Sequence, residues 1–131
     1  MDVVCVPAAE DSVFDNIYQD NNRIQILHSV SGKLTAADVP NRWLSTDIVH
    51  LGPLTNEVDF AIVDLFPDSL IGSPPQGWMR RWRAVGRVYA KRFPEAQSLF
   101  EKATAVVISE EDLLDDQMLN DYVNWSNILV M

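Results

Sequence analysis

A single cysteine, Cys5, and two histidines, His28 and His50, are all the thiol and imidazole groups that 131 residues offer. This excludes an internal disulfide framework and any Cys/His zinc spacing, and it fits a reducing compartment. Cations are scarce as well: 10 Lys and Arg stand against 19 Asp and Glu, for a formal charge of −9. Such a charge repels nucleic acid and anionic membrane surfaces, so neither is an expected partner of the whole chain. No run approaches the roughly 18 apolar residues of a membrane span. The opening Met1-Asp2-Val3-Val4-Cys5-Val6-Pro7 has no basic segment before its short apolar run, unlike a signal peptide. The expectation is a soluble, cytoplasmic protein. Glycine is sparse, and the one glycine-bounded loop, Gly72-Ser73-Pro74-Pro75-Gln76-Gly77, lacks the Gly-Lys-Ser/Thr ending of a P-loop.

What remains is a 47% apolar chain sized for one core, whose hydrophobic period changes near Gly32. Before Gly32 it is strand-like. Val3 to Val6 is a short apolar run, and Ser12 to Tyr18 and Arg23 to Val30 are separated by the turn formers Asp20-Asn21-Asn22, which predicts a hairpin. In its first arm Val13, Asp15 and Ile17 alternate with Phe14, Asn16 and Tyr18. In its second, Ile24, Ile26 and His28 alternate with Arg23, Gln25 and Leu27. A face carrying Asn16, Arg23 and Gln25 is more polar than a purely structural sheet requires, which points it toward a polar ligand or a second subunit.

From Thr46 onward strands alternate with helices. Asp47 to Leu51 predicts a buried strand stopped by Gly52-Pro53, after which Asn56 is placed to cap a helix whose Val58, Ala61, Ile62, Leu65 and Phe66 share a face. Ser69 to Gly72 is a short strand. Pro94 opens a helix burying Ala96, Leu99, Phe100 and Ala103, and Ala105 to Ile108 is the next strand. Met118, Leu119, Tyr122 and Val123 mark another amphipathic helix before the apolar run Ile128 to Met131. Successive βα units with apolar strands predict an α/β fold: a mostly parallel sheet with flanking helices, a Rossmann-type three-layer core, preceded by the hairpin.

Ser109-Glu110-Glu111-Asp112 directly follows a strand, at the carboxyl edge where open α/β sheets bind ligands. Ser109 with Asp112 three residues on has the pattern of a capping box. The carboxylates equally suit a role beside Mg²⁺, which prefers oxygen ligands and commonly uses one or two carboxylates. Six of the ten cations lie between Arg80 and Arg92 with no acid among them, interleaved with Trp78 and Trp82. A solvated basic face is the ordinary reading of such a segment, an anionic ligand or subunit contact the second, and stacking on single-stranded RNA the third. His28 and His50 read as ordinary strand residues.

In order, these pieces resemble the ribokinase-like (PfkB) carbohydrate kinases over nearly the whole chain. The hairpin Phe14-Asp15-Asn16-Ile17-Tyr18 to Arg23-Ile24-Gln25 resembles the family's sugar-covering lid, which also contributes to dimerisation. Thr46 to Leu54 is similar to the strand and loop that follow it. Gly72 to Arg80 is similar to a loop of a subgroup related to inositol kinases, and Ser109 to Asp112 to the family's Asn-x-x-Glu motif, with Ser for Asn and Asp for Glu. The resemblance implies a kinase that uses ATP and Mg²⁺ to phosphorylate a sugar, cyclitol or nucleoside hydroxyl. It places Asn16, Arg23 and Gln25 over the substrate, Glu110 and Asp112 in the shell of metal-bound water, and a possible homodimer at the lid. It also implies that the chain is the central part of one kinase domain, with lid strands and hairpin in 1–31 and βα units in 32–131. The family's N-terminal βα portion and its Gly-Ala-Gly-Asp catalytic motif have no counterpart here, so no catalytic residue is expected and the chain alone is expected to be inactive. The alternative is a stand-alone, non-catalytic α/β module that binds a ligand or protein partner.

Overall fold

The computed structural model describes residues 2–20, 22–83 and 86–131. Strands β1 (Val13–Gln19) and β2 (Asn22–Ser29) form the expected antiparallel hairpin, with Phe14 opposite Leu27, Asn16 opposite Gln25 and Tyr18 opposite Arg23. Asp20 takes a positive φ of 47° at its turn. Asn21, the middle residue of that expected turn, lies outside the described residues. Because side chains alternate along a strand, these opposed pairs share one face, and Leu27, fully buried, anchors it to the rest of the protein.

The second sheet is parallel, in the order β3 (Ile48–His50), β4 (Leu70–Ser73), β8 (Ala105–Val107), β9 (Leu129–Val130). Between its second and third strands the chain makes three two-residue strands, β5 (Arg80–Arg81), β6 (Gly86–Arg87) and β7 (Tyr89–Ala90). Helix α1 (Ala96–Lys102) precedes β8, and α2 (Asp116–Trp125) precedes β9. Sheet order follows chain order, so every crossover steps the same way and its helix lands on the same face. Leu99, Phe100 and Ala103 of that layer, with Met118 and Tyr122, pack with Val49, Ile71, Val106 and Ile108 into one core. Val123 faces solvent instead of joining the expected stripe. The α/β class is as expected.

Three sequence expectations change. Val3 to Val6 joins no ladder, and Val3 and Val4 are exposed. The apolar stripe after Val58 is a six-residue 3₁₀ helix, Phe60–Leu65, not an α-helix. Its tighter pitch of three residues per turn aligns Val63 with Phe66 in the core and turns Ala61 outward. Its cap is Asp59, whose carboxylate accepts from the Ala61 N–H at 3.0 Å. Asn56, the expected cap, sits in the left-handed region at φ 57°.

The strands are buried on one face only. Ile48 is 68% and Leu70 56% exposed, and Val107 and Val130 are also exposed, all on the face opposite the helices. Parallel sheets ordinarily cover both faces. No helix among the described residues is long and apolar enough to cross a membrane.

Candidate functional site

The segment read as a solvated basic face keeps Arg81, Arg83, Arg87 and Arg92 exposed, and it is also a structural arm. Trp78 and Met79 are buried, and the Trp78 indole stacks on Phe93 at 5.4 Å with Phe60 edge-on to both rings. The chain then pairs β5 with β7, while β6 adds to the lid, with Leu27 opposite Gly86 and Ile26 opposite Arg87. The Val88 N–H donates to the Gln25 carbonyl at 2.9 Å. Ala84 and Val85, within this arm, lie outside the described residues. The sequence could not show this, because two-residue strands carry no period, and β6 is fixed by a partner some sixty residues away.

Arg80 is the pivot. It is only 6% exposed, its guanidinium donates to Gln76 Oε1 at 3.0 Å and to the Leu54 carbonyl at 3.5 Å, and it lies 6.0 Å from the centre of the Phe14 ring. Asn56 Nδ2 donates to the Arg80 carbonyl at 3.2 Å, which explains the left-handed backbone of Asn56: the loop turns so that its amide reaches the arm. Burial draws the Arg80 pKa down, opposed by the nearby Asp112 carboxylate. In the sequence Arg80 stands in the basic run whose second reading is an anionic ligand, and it is not set apart there as the buried member. The signal available was its position directly after two large apolar residues in the loop at the sheet's carboxyl edge.

At that edge Ser109 caps the turn Glu110–Asp112, and the Ser109 N–H donates to Asp112 Oδ2 at 3.2 Å. The capping box therefore forms, and it holds Asp112 at 5% exposure. Arg23 of the lid pairs with Glu111 of this turn. Arg23, Gln25, Arg80, Arg87, Glu111 and Asp112 line one cleft of about 330 Å³ between lid, arm and turn.

Of the expected site residues, the structure thus brings Arg23, Gln25 and Asp112 together. Asn16 accepts from the Gln25 amide at 2.9 Å and stands behind it on the outer strand. Glu110 is directed toward a different hollow, beside Leu113 and Met131. Among the described residues no three His, Cys, Asp or Glu side chains gather as a metal cage. The donor set does suit an ion held by one carboxylate together with a ligand's own oxygens, since Asp112 commits one oxygen to its cap and lines the cleft with the other free to act. A second hollow of about 400 Å³, mostly apolar, lies beside the edge strand β3 against Val4, Leu34 and Phe66.

No family model matches the sequence, and no curated protein is significantly similar to it. Solved structures are similar. A pyrophosphate-dependent kinase in the ribokinase family, in a sulfate complex, superposes with a TM-score of 0.73 at 12% identity, over 95% of this chain and 48% of that one. A pyrophosphate-dependent kinase in the ribokinase family complexed with a pyrophosphate analog and myo-inositol gives 0.75 at 13%, over 98% and 49%. A pyrophosphate-dependent myo-inositol-1 kinase converted by mutation into a myo-inositol-3 kinase gives 0.63 at 12%, over 82% and 42%. The chain spans about half the length of these proteins. At such identities the likeness is one of architecture: the chain has the α/β fold of the ribokinase-family kinases over about half their length.

Proposed function

We propose that this chain is the central part of a ribokinase-like kinase domain that phosphorylates a hydroxyl of a cyclitol, sugar or nucleoside, and that it supplies the substrate lid and the carboxylate beside the donor phosphates. The observation that carries the reading is the joining of lid to sheet edge: Arg23 pairs with Glu111 while Gln25 and Asp112 line the same cleft. Phosphoryl transfer depends on positioning and on electrostatic stabilisation, and these are what a lid and an edge turn provide. Asn16 orients the Gln25 amide; Arg23 and Gln25 close over the substrate. Asp112 is the residue to share magnesium-bound water, the ion neutralising donor charge, while Glu110 is directed to another hollow. The sequence contains no Gly-Ala-Gly-Asp, and no residue is assigned as the catalytic base.

Cyclitols are the favoured substrate class and pyrophosphate stands beside ATP as donor, because the structural neighbours include pyrophosphate-dependent kinases and a myo-inositol complex. The bare sheet face of Ile48, Leu70, Val107 and Val130 supports the view that the layer works within a larger domain, not as a stand-alone module. Val13 and Ile17, exposed on the lid, offer a surface for a second copy.

A thermal-shift panel of cyclitols, sugars and nucleosides, with and without magnesium plus pyrophosphate or ATP, tests this. A ligand at a hundred times its dissociation constant adds about 2.7 kcal/mol, a rise of roughly 8 °C for a chain of this size. A cyclitol should raise the midpoint, and more so with donor present. A flat response to every hydroxyl compound, with or without donor, would sink the proposal.

A further inference from the structure

We infer that Ser12, Thr55 and Glu57 form a hinge pin that sets the angle of the hairpin over the sheet edge, which makes Thr55 a positioning residue for what the hairpin covers. The pin stands on the geometry of the hairpin's foot, and its bearing on a substrate rests on the kinase reading.

The two arms of the hairpin meet the rest of the protein at Ser12, directly before β1, and at Ser31, two residues after β2. There the arms are tied to each other: the Ser29 hydroxyl donates to the Asp11 carbonyl at 2.6 Å, and the Ser31 N–H donates to Ser12 Oγ at 3.0 Å. The ladder breaks at the same level. Val13 pairs with Ser29 but Phe14 with Leu27, which leaves one residue extra in β2. An irregularity of this kind bends a strand and re-aims what lies beyond it, so the foot is where the hairpin can swing.

A directed chain of hydroxyls holds that swing. Ser12 Oγ lies 3.0 Å from Thr55 Oγ1, and Thr55 Oγ1 lies 3.0 Å from Glu57 Oε2. An ionised carboxylate only accepts, so the Thr55 proton goes to Glu57 and the Ser12 proton to Thr55, which leaves a lone pair on Ser12 for the Ser31 N–H. Every donor along the run is used once, and the run ends on a charge, where hydrogen bonds are strongest. Glu57 is itself fixed, since it accepts from the Leu54 N–H at 2.8 Å and from the Thr55 N–H. Thr55 is 2% exposed. A buried hydroxyl is costly unless it is bonded, and valine would fill the same space, so the bonds to Ser12 and Glu57 are what the hydroxyl serves.

The pin sits on a loop that also meets the cleft. The Leu54 carbonyl accepts from Arg80, and the Asn56 amide donates to the Arg80 carbonyl. Leu54 to Glu57 therefore grip the foot of the hairpin on one side and the buried arginine of the cleft on the other.

Distances between spin labels measure the angle directly. On a Cys5→Ser background, one pair of labels at Tyr18→Cys and Gln97→Cys spans hairpin to α1, and a control pair at Gln97→Cys and Asn120→Cys spans α1 to α2; all three positions are exposed. Thr55→Val should broaden the hairpin distribution about twofold, as a released hinge does, and leave the control pair as in the wild type. Ser12→Ala, a milder change at a half-buried site, should do the same. Thr55→Ser keeps the hydroxyl and should restore the wild-type width. An unchanged hairpin distribution in both Thr55→Val and Ser12→Ala, equal broadening of both pairs, or a Thr55→Ser as broad as Thr55→Val overturns the pin. Magnesium, pyrophosphate and myo-inositol together should narrow the wild-type hairpin distribution, and narrow it less in Thr55→Val. If they narrow nothing in the wild type, the kinase reading falls while the ligand-free result still judges the pin; if they narrow Thr55→Val to the wild-type width, Thr55 is not a positioning residue.

Discussion

Replacing Gly77 by alanine should lower the unfolding free energy by about 3 kcal/mol, at the upper end of overpacking costs, and loosen the cleft at the same time. A Cβ at position 77 would stand 2.5 Å from both the Leu54 nitrogen and the Pro53 carbonyl carbon. Those are backbone atoms of the neighbouring edge loop, which cannot rotate aside as a side-chain tip would. Gly77 also donates its N–H to the Pro53 carbonyl at 3.0 Å, so the contact that the methyl would force apart is itself a hydrogen bond. The displaced Leu54 carbonyl is an acceptor of Arg80, so the strain reaches the arginine that the cleft depends on. Urea denaturation measures the effect, and a change below about 0.5 kcal/mol, the scale of ordinary surface substitutions, would show that the two loops do not touch as described.

The second large effect is alkaline. Burial pushes the Tyr122 hydroxyl up to about 12 from its ordinary 10, helped by the nearby Asp112 and opposed by Arg92. The folded state therefore prefers the protonated ring, and this preference is fully present below pH 10. It is lost as pH rises from 10 through 12, because the unfolded chain ionises first, at a cost of about 2–3 kcal/mol by linkage. Tyr122→Phe retains the ring stacked 4.2 Å from Phe100 but has nothing to ionise. The difference in stability between wild type and variant should be nearly constant to pH 9 and shift in favour of the variant by that amount by pH 12. A pH-independent difference would mean that the hydroxyl is solvated.

Much of this architecture was legible because short-range periodicity governs it. The alternation of Arg23, Gln25 and Leu27 against Ile24 and Ile26 located the lid's polar face, and the spacing of Leu99, Phe100 and Ala103 located the inward face of α1. Ser109 and Asp112 announced their capping box three residues apart. The arm was not legible, since Arg80 to Ala90 has neither period and its strands exist only because the lid and Met79 offer partners. That is also why Arg80 could not be told from its neighbours: a run of cations looks solvated until a fold buries one of them. Ile48 and Val107 read as core because continuous apolar strands ordinarily have two covers, and in this chain one is present.

The central claim is that the lid, the arm and the turn after β8 act on one ligand. Hydrogen exchange of backbone amides, with and without magnesium, pyrophosphate and myo-inositol together, tests it most directly. Exchange should slow jointly in the hairpin 13–29, at Arg87 to Ala90 and at Glu110 to Leu113, leaving the bare sheet face unchanged. Slowing confined to the apolar hollow near Val4 and Leu34, or in only one of the three segments, would contradict the account.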